Sequence, residues 1–270
     1  MVIYGAIGNV SVAALFLGGF LPGLIIGVGL MVLVFLVARR RNYPREPWVG
    51  IREIISRFFG ALLALLMPVI ILGGVFSGIF TATESAAVAV TYAILVGIFV
   101  YRELKWSDLP RLFYLASLLS AKVMFLIATA TFVGFLFAHQ KIPQHLADGL
   151  LMLTNRPWLV LLMVNILLLV IGCVIEVAAA LILGPVLIPI MDSLGVNLVH
   201  FGVVMVVNLA IGTIHPPVGN CLYIVSVISS ESIGKCSIAV IPVVGVMIAA
   251  LMLITFVPEL VLIVPRYFGY

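Results

Sequence analysis

Charge is what this chain has least of. Only 9% of its 270 residues are Asp, Glu, Lys or Arg, where soluble domains carry roughly a quarter, and 64% are apolar. That balance excludes a water-soluble enzyme or binding module and makes the chain an integral membrane protein. The net charge of +4 does not point to nucleic acid, because the basic residues sit in loops between apolar runs. Cysteine is scarce too. Cys173, Cys221 and Cys236 lie in or beside apolar runs with no metal-type spacing, and read as small packing residues. There is no nucleophile elbow, HExxH, aspartate pair or Walker loop. No enzyme is indicated, and any transport must draw on an ion gradient or an ATPase partner. No basic region followed by a short apolar core opens the chain, so no signal peptide is expected.

What is present is a series of apolar runs, enough for about six to eight passages at ~20 residues each. The expected fold is all-α and polytopic, a single membrane domain over 1–270. A first span covers roughly 12–38. Residues 39–57 follow as an interfacial loop, with Trp48 at headgroup level. Spans at 58–80, 85–101 and 113–138 come next, then an interfacial stretch at 139–156. Arg39, Arg40, Arg41, Arg45, Arg52 and Arg57 crowd one loop, and Arg102, Lys105 and Arg111 another. The positive-inside tendency puts both in the cytoplasm. Residues 157–190 are either a span plus a short segment or a hairpin, and a last span runs from about 237 to 257.

Between Asp192 and Glu231 lie 38 residues with no formal charge, centred on Ile211-Gly-Thr-Ile-His-Pro-Pro-Val-Gly-Asn220. This is too long for one crossing, and the twin prolines remove two backbone donors. The pattern predicts a helix starting near Leu198, unwound over 212–220 and resumed toward Ser229. Non-helical backbone at membrane depth persists only where protein or a cavity surrounds it. Broken helices of this kind hold substrate and ions in secondary transporters.

Several residues in these runs are candidates for chemistry. A carboxylate in an apolar run costs at least ~2.5 kcal/mol at a helix centre, which makes Glu176 either an ion-network residue or a boundary residue reaching headgroups. Glu84, beside Thr81 and Thr83, fits the first turn of a capped helix and a place anchoring two helices. Thr213, His215 and Asn220 flank the prolines, where freed carbonyls can take sodium and half-helix N-termini a carboxylate. His215 either carries a proton or satisfies local backbone. His200 reads as a helix start near the interface, His139 and His145 as loop residues, and Lys122 as a snorkelling residue at a span end.

The opening Val2-Ile-Tyr4, Ser11-Val12, Phe20-Leu-Pro22 recurs loosely as Cys221-Leu-Tyr223, Ser232-Ile233, Val240-Ile-Pro242. The Tyr-to-Pro spacing is 18 residues in one copy and 19 in the other. Inverted repeats usually supply half of a site each, so the chain is expected to be the C-terminal part of a longer transporter.

Gly73-Gly-Val-Phe-Ser-Gly-Ile-Phe-Thr-Ala-Thr-Glu-Ser-Ala-Ala-Val-Ala-Val90 resembles a signature of the large permease subunit of TRAP (tripartite ATP-independent periplasmic) transporters. So do Gly172…Glu176…Leu183-Gly-Pro-Val-Leu-Ile-Pro189, Val199-His-Phe-Gly-Val-Val-Met-Val-Val-Asn-Leu-Ala-Ile-Gly212 and Pro216-Pro-Val-Gly219. The resemblance covers essentially the whole chain. It implies an elevator-type architecture with inverted repeats, scaffold spans over 58–138, and a second repeat over 157–270 holding a hairpin at 172–189. It implies sodium-driven import of a small organic acid (C4-dicarboxylate, sialic acid or sugar acid) across the bacterial inner membrane. The partners it implies are a periplasmic binding protein and a small membrane subunit.

Carried onto this sequence, the backbone carbonyls of Gly212, Thr213, Pro217 and Val218 hold sodium. Thr213, His215, Gly219 and Asn220 face the substrate, and Glu176, Glu84, Thr81 and Pro216 support the framework. His215 stands where the family pattern has threonine, and Asn197 where aspartate is common. Two other readings remain open: a single-component sodium-coupled carboxylate symporter, and an intramembrane enzyme using Glu176 and His215 as acid and base, which needs both within ~3 Å or one water of a common substrate.

Overall fold

The computed structural model describes residues 1–43, 50–141, 145, 149, 156–173, 181–216 and 219–270, with the side chains of 126, 130, 133, 134, 137, 138, 182 and 220 excepted. The protein is all-α and polytopic. Among the described residues five helical segments are long and apolar enough to cross a membrane: Val12–Arg40, Ile51–Phe76, Ala82–Val100, Trp106–Thr129 and Ile233–Phe256. The chain forms two units, residues 41–122 and the remainder.

In the 41–122 unit, helix α3 (Ile51–Phe76) packs against α4 (Ala82–Leu95), which ends in a π turn at Val96–Val100. Helix α3 starts seven residues before the span predicted at 58. Ile51-Arg-Glu-Ile-Ile-Ser-Arg57 contains no helix breaker, and Glu53 pairs with Arg57 at 3.3 Å one turn on, so 51–57 continue the span rather than form a separate interfacial piece. Residues 44–49, including Arg45 and Trp48, lie outside the described residues. Thr81 caps α4. Its Oγ1 accepts from the Glu84 N–H at 3.3 Å, and Glu84 Oε2 accepts from the Thr81 N–H and hydroxyl at 2.8 and 2.9 Å. This reciprocal box satisfies two otherwise orphaned groups. Among the described residues, the Glu84 carboxylate thus serves the start of its own helix, as expected of a first-turn acid.

Helix α5 (Leu109–His139) begins in this unit and continues into the other. Lys122 falls near its middle and is exposed, not at a span end. His139 is its last residue and stacks on Phe135.

The other unit begins with a short helix, α1 (Val2–Gly8), and a long one, α2 (Val12–Arg40). It continues with α6 (Pro157–Gly172), α7 (Gly184–Ser193), α8 (Leu198–Gly212), α9 (Asn220–Ser229), α10 (Ile233–Phe256) and α11 (Glu259–Tyr267). Helix α8 is the hub. It contacts α1, α2, α6, α7, α10 and α11, and 10 of its 15 residues are buried, as an all-round apolar helix requires. Small residues permit the close approaches: a Cβ on Gly18 would meet Val261 at 3.1 Å and Val203 at 3.3 Å, and Gly202 leaves room for the Tyr4 ring. The Tyr4 hydroxyl then donates to the Leu198 carbonyl at 2.9 Å.

The two copies of the sequence repeat take the same local form. Helix α1 ends at Asn9 (φ 51°) and α9 at Ser230 (φ 55°), both left-handed. Ser11 then accepts from the Ala14 N–H at 3.2 Å, and Ser232 from the Lys235 N–H at 3.4 Å. Each serine caps a long helix with an internal proline, Pro22 in α2 and Pro242 in α10.

Gly172 closes α6, and a 3₁₀ turn at Leu181–Leu183 leads into α7, which ends at Ser193, so the described helices extend beyond the expected hairpin bounds of 172–189 on either side. Pro185 sits at the start of α7, where its missing N–H costs nothing, so Gly184-Pro185 begins a helix. Residues 174–180, Glu176 among them, lie outside the described residues.

Candidate functional site at the broken helix

Helix α8 has 15 residues, about 22 Å at 1.5 Å per residue, so it stops short of a ~30 Å hydrocarbon core. After Gly212 the chain makes turns through Thr213–Pro216, and helix resumes at Asn220. The break is closed by a bond from the Cys221 N–H to the Thr213 carbonyl at 3.0 Å, while the His215 N–H donates to the Gly212 carbonyl at 3.2 Å.

Gly219 lies at the centre of this turn. A Cβ there would stand 2.9 Å from both the Thr213 and the His215 carbonyl oxygens, so two backbone oxygens lie against this residue more closely than any side chain permits. The His215 carbonyl was not among the cation ligands expected from sequence. The Gly212 and Thr213 carbonyls were, and each already accepts one backbone bond, with a second lone pair to spare. Pro217 and Val218 lie outside the described residues, as does the side chain of Asn220. The Thr213 hydroxyl turns back onto its own helix, donating to the Ala210 carbonyl at 2.7 Å.

The end of α6 is seated on this break. A Cβ on Gly212 would fall 2.5 Å from the Gly172 carbonyl carbon, so the two backbones touch with no side chain between them. One residue on, Cys173 Sγ lies 3.1 Å from His215 Nδ1 and 3.8 Å from the Pro216 carbonyl oxygen, and His215 Nδ1 also contacts that oxygen. Cys173 is thus more than a packing residue: its thiol joins α6 to the break. His215 is half-buried.

Below this contact runs a buried polar chain that sequence reasoning missed. Asn208 Nδ2 donates to the Asn165 carbonyl at 2.9 Å and to Asn165 Oδ1 at 2.8 Å. Asn165 Nδ2 donates to Thr255 Oγ1 at 2.9 Å, and that hydroxyl to the Leu251 carbonyl at 2.7 Å. All three side chains are buried, and they tie together α6, α8 and α10. The signal was available: an uncharged amide in an apolar run needs a partner as much as a charge does. His200 lies in the first turn of α8, as expected, and its side chain is buried in the protein. Its Nε2 meets the Ile254 carbonyl at 3.0 Å, while the helix start is capped by Asn197, whose Oδ1 accepts from the Val199 and His200 N–H groups at 2.9 and 3.2 Å.

Residues 1–260 match the family described as tripartite ATP-independent periplasmic transporter, DctM component. The chain belongs to the DctM family of TRAP transporters. It is 40% identical over all 270 residues to a C4-dicarboxylate TRAP transporter large permease protein of Pseudomonas aeruginosa, covering 63% of that protein. It is 37% identical over 267 residues to a sialic acid TRAP transporter permease protein of Haemophilus influenzae, 98% of this chain and 43% of that one. Over 263 residues it is 34% identical to a 2,3-diketo-L-gulonate TRAP transporter large permease protein of Escherichia coli, 97% of this chain and 62% of that one. This DctM-family chain thus spans less than two thirds of each of these relatives. Their names are those of transport permeases, not enzymes, and they differ in cargo.

Proposed function

We propose that this DctM-family chain forms part of a sodium-driven importer of a small organic acid, working in the bacterial inner membrane with a small membrane subunit and a periplasmic binding protein. The observation that carries this reading is the unwound backbone between α8 and α9, where the Thr213 and His215 carbonyl oxygens both lie against Gly219. Uncharged oxygens in a confined space suit a hard monovalent cation, and the C-terminal end of α8 adds negative partial charge. Sodium there would be held by Thr213, His215 and Gly212 carbonyls, completed by Pro217 and Val218. The N-terminus of α9 presents the opposite end of a helix dipole, which favours a carboxylate alongside the cation. Binding either ion lessens the repulsion its partner would meet alone, so the two are taken up together.

The contact of Gly172 with Gly212 and the Asn165–Asn208–Thr255 chain support an elevator movement, because they make α6, α8 and α10 one carrier body for the site. The relatives' cargoes set the class to test: C4-dicarboxylates, sialic acids and sugar acids. The decisive experiment is uptake of these acids by the permease reconstituted into proteoliposomes with its small subunit. Uptake is expected only with both an inward sodium gradient and the binding protein present. Uptake without the binding protein identifies a single-component symporter instead, and uptake without sodium overturns the coupling.

A further inference from the structure

We infer that the crevice between α3, α4 and the start of α5 binds one anionic phospholipid, an acyl chain entering the crevice and the headgroup phosphate resting on Arg102, Lys105 and Arg111. The inference stands apart from the transport function proposed above. The crevice has a volume of about 270 Å³. Met67 lines it from α3, Ile94 from α4, Leu104 from the connecting loop, and Leu109, Leu112 and Phe113 from α5. Every lining side chain is apolar, so nothing within it holds a polar solute. That volume equals a cube about 6.5 Å on a side, narrower than the ~10 Å of a helix with its side chains. It admits a single hydrocarbon chain but not a helix.

Charge at the rim decides which lipid is held. Lys105 follows the lining residue Leu104, and Arg111 precedes the lining residue Leu112, so both cations are tied to the edge of the crevice. Arg102 joins them from a corner in the left-handed conformation (φ 56°), which glycine would adopt without strain. The corner is well anchored. The Glu103 and Leu104 N–H groups both donate to the Gly97 carbonyl at 3.2 Å, and Asp108 Oδ2 accepts from the Lys105 N–H at 3.1 Å. Asp108 thus serves the loop's own backbone, which leaves Glu103 as the exposed carboxylate beside three exposed cations. Trp106, edge-on to Phe99 at 6.4 Å, is exposed in the same loop, as a side chain at headgroup level is. Lipid tails are as apolar as leucine, so the crevice accepts the chain of any phospholipid. The cations supply the preference for a negative headgroup, on the cytoplasmic face where the positive-inside tendency puts this loop.

The test reads Trp106 fluorescence in the protein reconstituted into phosphatidylcholine vesicles, with Trp48→Phe and Trp158→Phe leaving it the sole tryptophan. Phosphatidylglycerol and phosphatidylcholine brominated near the top of their acyl chains quench it on contact. Brominated phosphatidylglycerol should reach half of its maximal quenching at a mole fraction at least about fivefold lower than brominated phosphatidylcholine does. Arg102→Gln, Lys105→Gln and Arg111→Gln together should bring the two lipids within about twofold of each other. Ala116→Phe should fill the crevice and remove the preference with the cations intact, and Ala93→Leu is the milder filling where the phenylalanine variant melts early. Equal quenching by the two lipids in the parent protein overturns the site. So does a preference that survives loss of the three cations or filling of the crevice. Quenching by neither lipid would mean that protein covers the crevice, and overturns the site as well.

Discussion

Gly212 approaches Gly172 so closely that an added Cβ would stand 2.6 Å from the Gly172 Cα, whereas a Cβ on Gly172 would clear the Gly212 Cα at 3.3 Å. The contact is asymmetric, and the asymmetry is testable. Gly212→Ala pushes backbone against backbone, which cannot yield as a side chain can, and overpacking of this kind costs about 1–3 kcal/mol. Gly172→Ala needs only a few tenths of an ångström. Thermal melting of the two variants in detergent should show a clear loss of stability for Gly212→Ala and a much smaller one for Gly172→Ala. Equal losses would mean that the helices separate without cost.

Gly219→Ala tests the carbonyl cradle. The methyl group would press on the Thr213 and His215 oxygens at 2.9 Å and displace them, while membrane insertion, governed by the long apolar spans, is untouched. The sodium concentration for half-maximal uptake should rise at least tenfold, and Gly219→Val should abolish uptake altogether. Normal sodium dependence in Gly219→Ala would remove these carbonyls from the cation site.

The Asn165–Asn208–Thr255 chain makes a thermodynamic prediction. Thr255→Val keeps the side-chain shape but leaves the buried Asn165 Nδ2 without its acceptor, at a cost of about 1–3 kcal/mol. Asn208→Leu strips the Asn165 amide oxygen of its donor. Because both lesions strand groups of the same residue, adding Asn165→Leu to either should recover part of the loss. Melting temperatures of the singles and doubles form the cycle that measures this coupling. Strict additivity would show that the three side chains act independently.

The break was legible because its signals are covalent. Two prolines without N–H groups, glycines on either side and a charge-free stretch longer than any single span leave few alternatives to interrupted helix. The capped start of α4 was legible for the same reason, since Thr81 and Glu84 fall three residues apart. What was not legible depended on which faces meet. Asn165, Asn208 and Thr255 are far apart in sequence and look like ordinary interruptions of apolar runs until α6, α8 and α10 come together. Cys173 read as filler because its partner, His215, is 42 residues away. Gly184-Pro185 signals equally the end of one helix and the beginning of another, and only the structure shows that it begins α7. The start of α3 was set too late because arginines were taken to mark a loop, although they also sit comfortably in the first turns of an emerging helix.

Asn9 and Ser230 turn matching corners in the left-handed conformation, without the glycine that usually adopts it. Asparagine tolerates that geometry better than serine does, and neither is as free in it as glycine. The corner leading from α9 into α10 is therefore the more strained of the two, and the chain just beyond the proline break is where this helical pair is readiest to come apart.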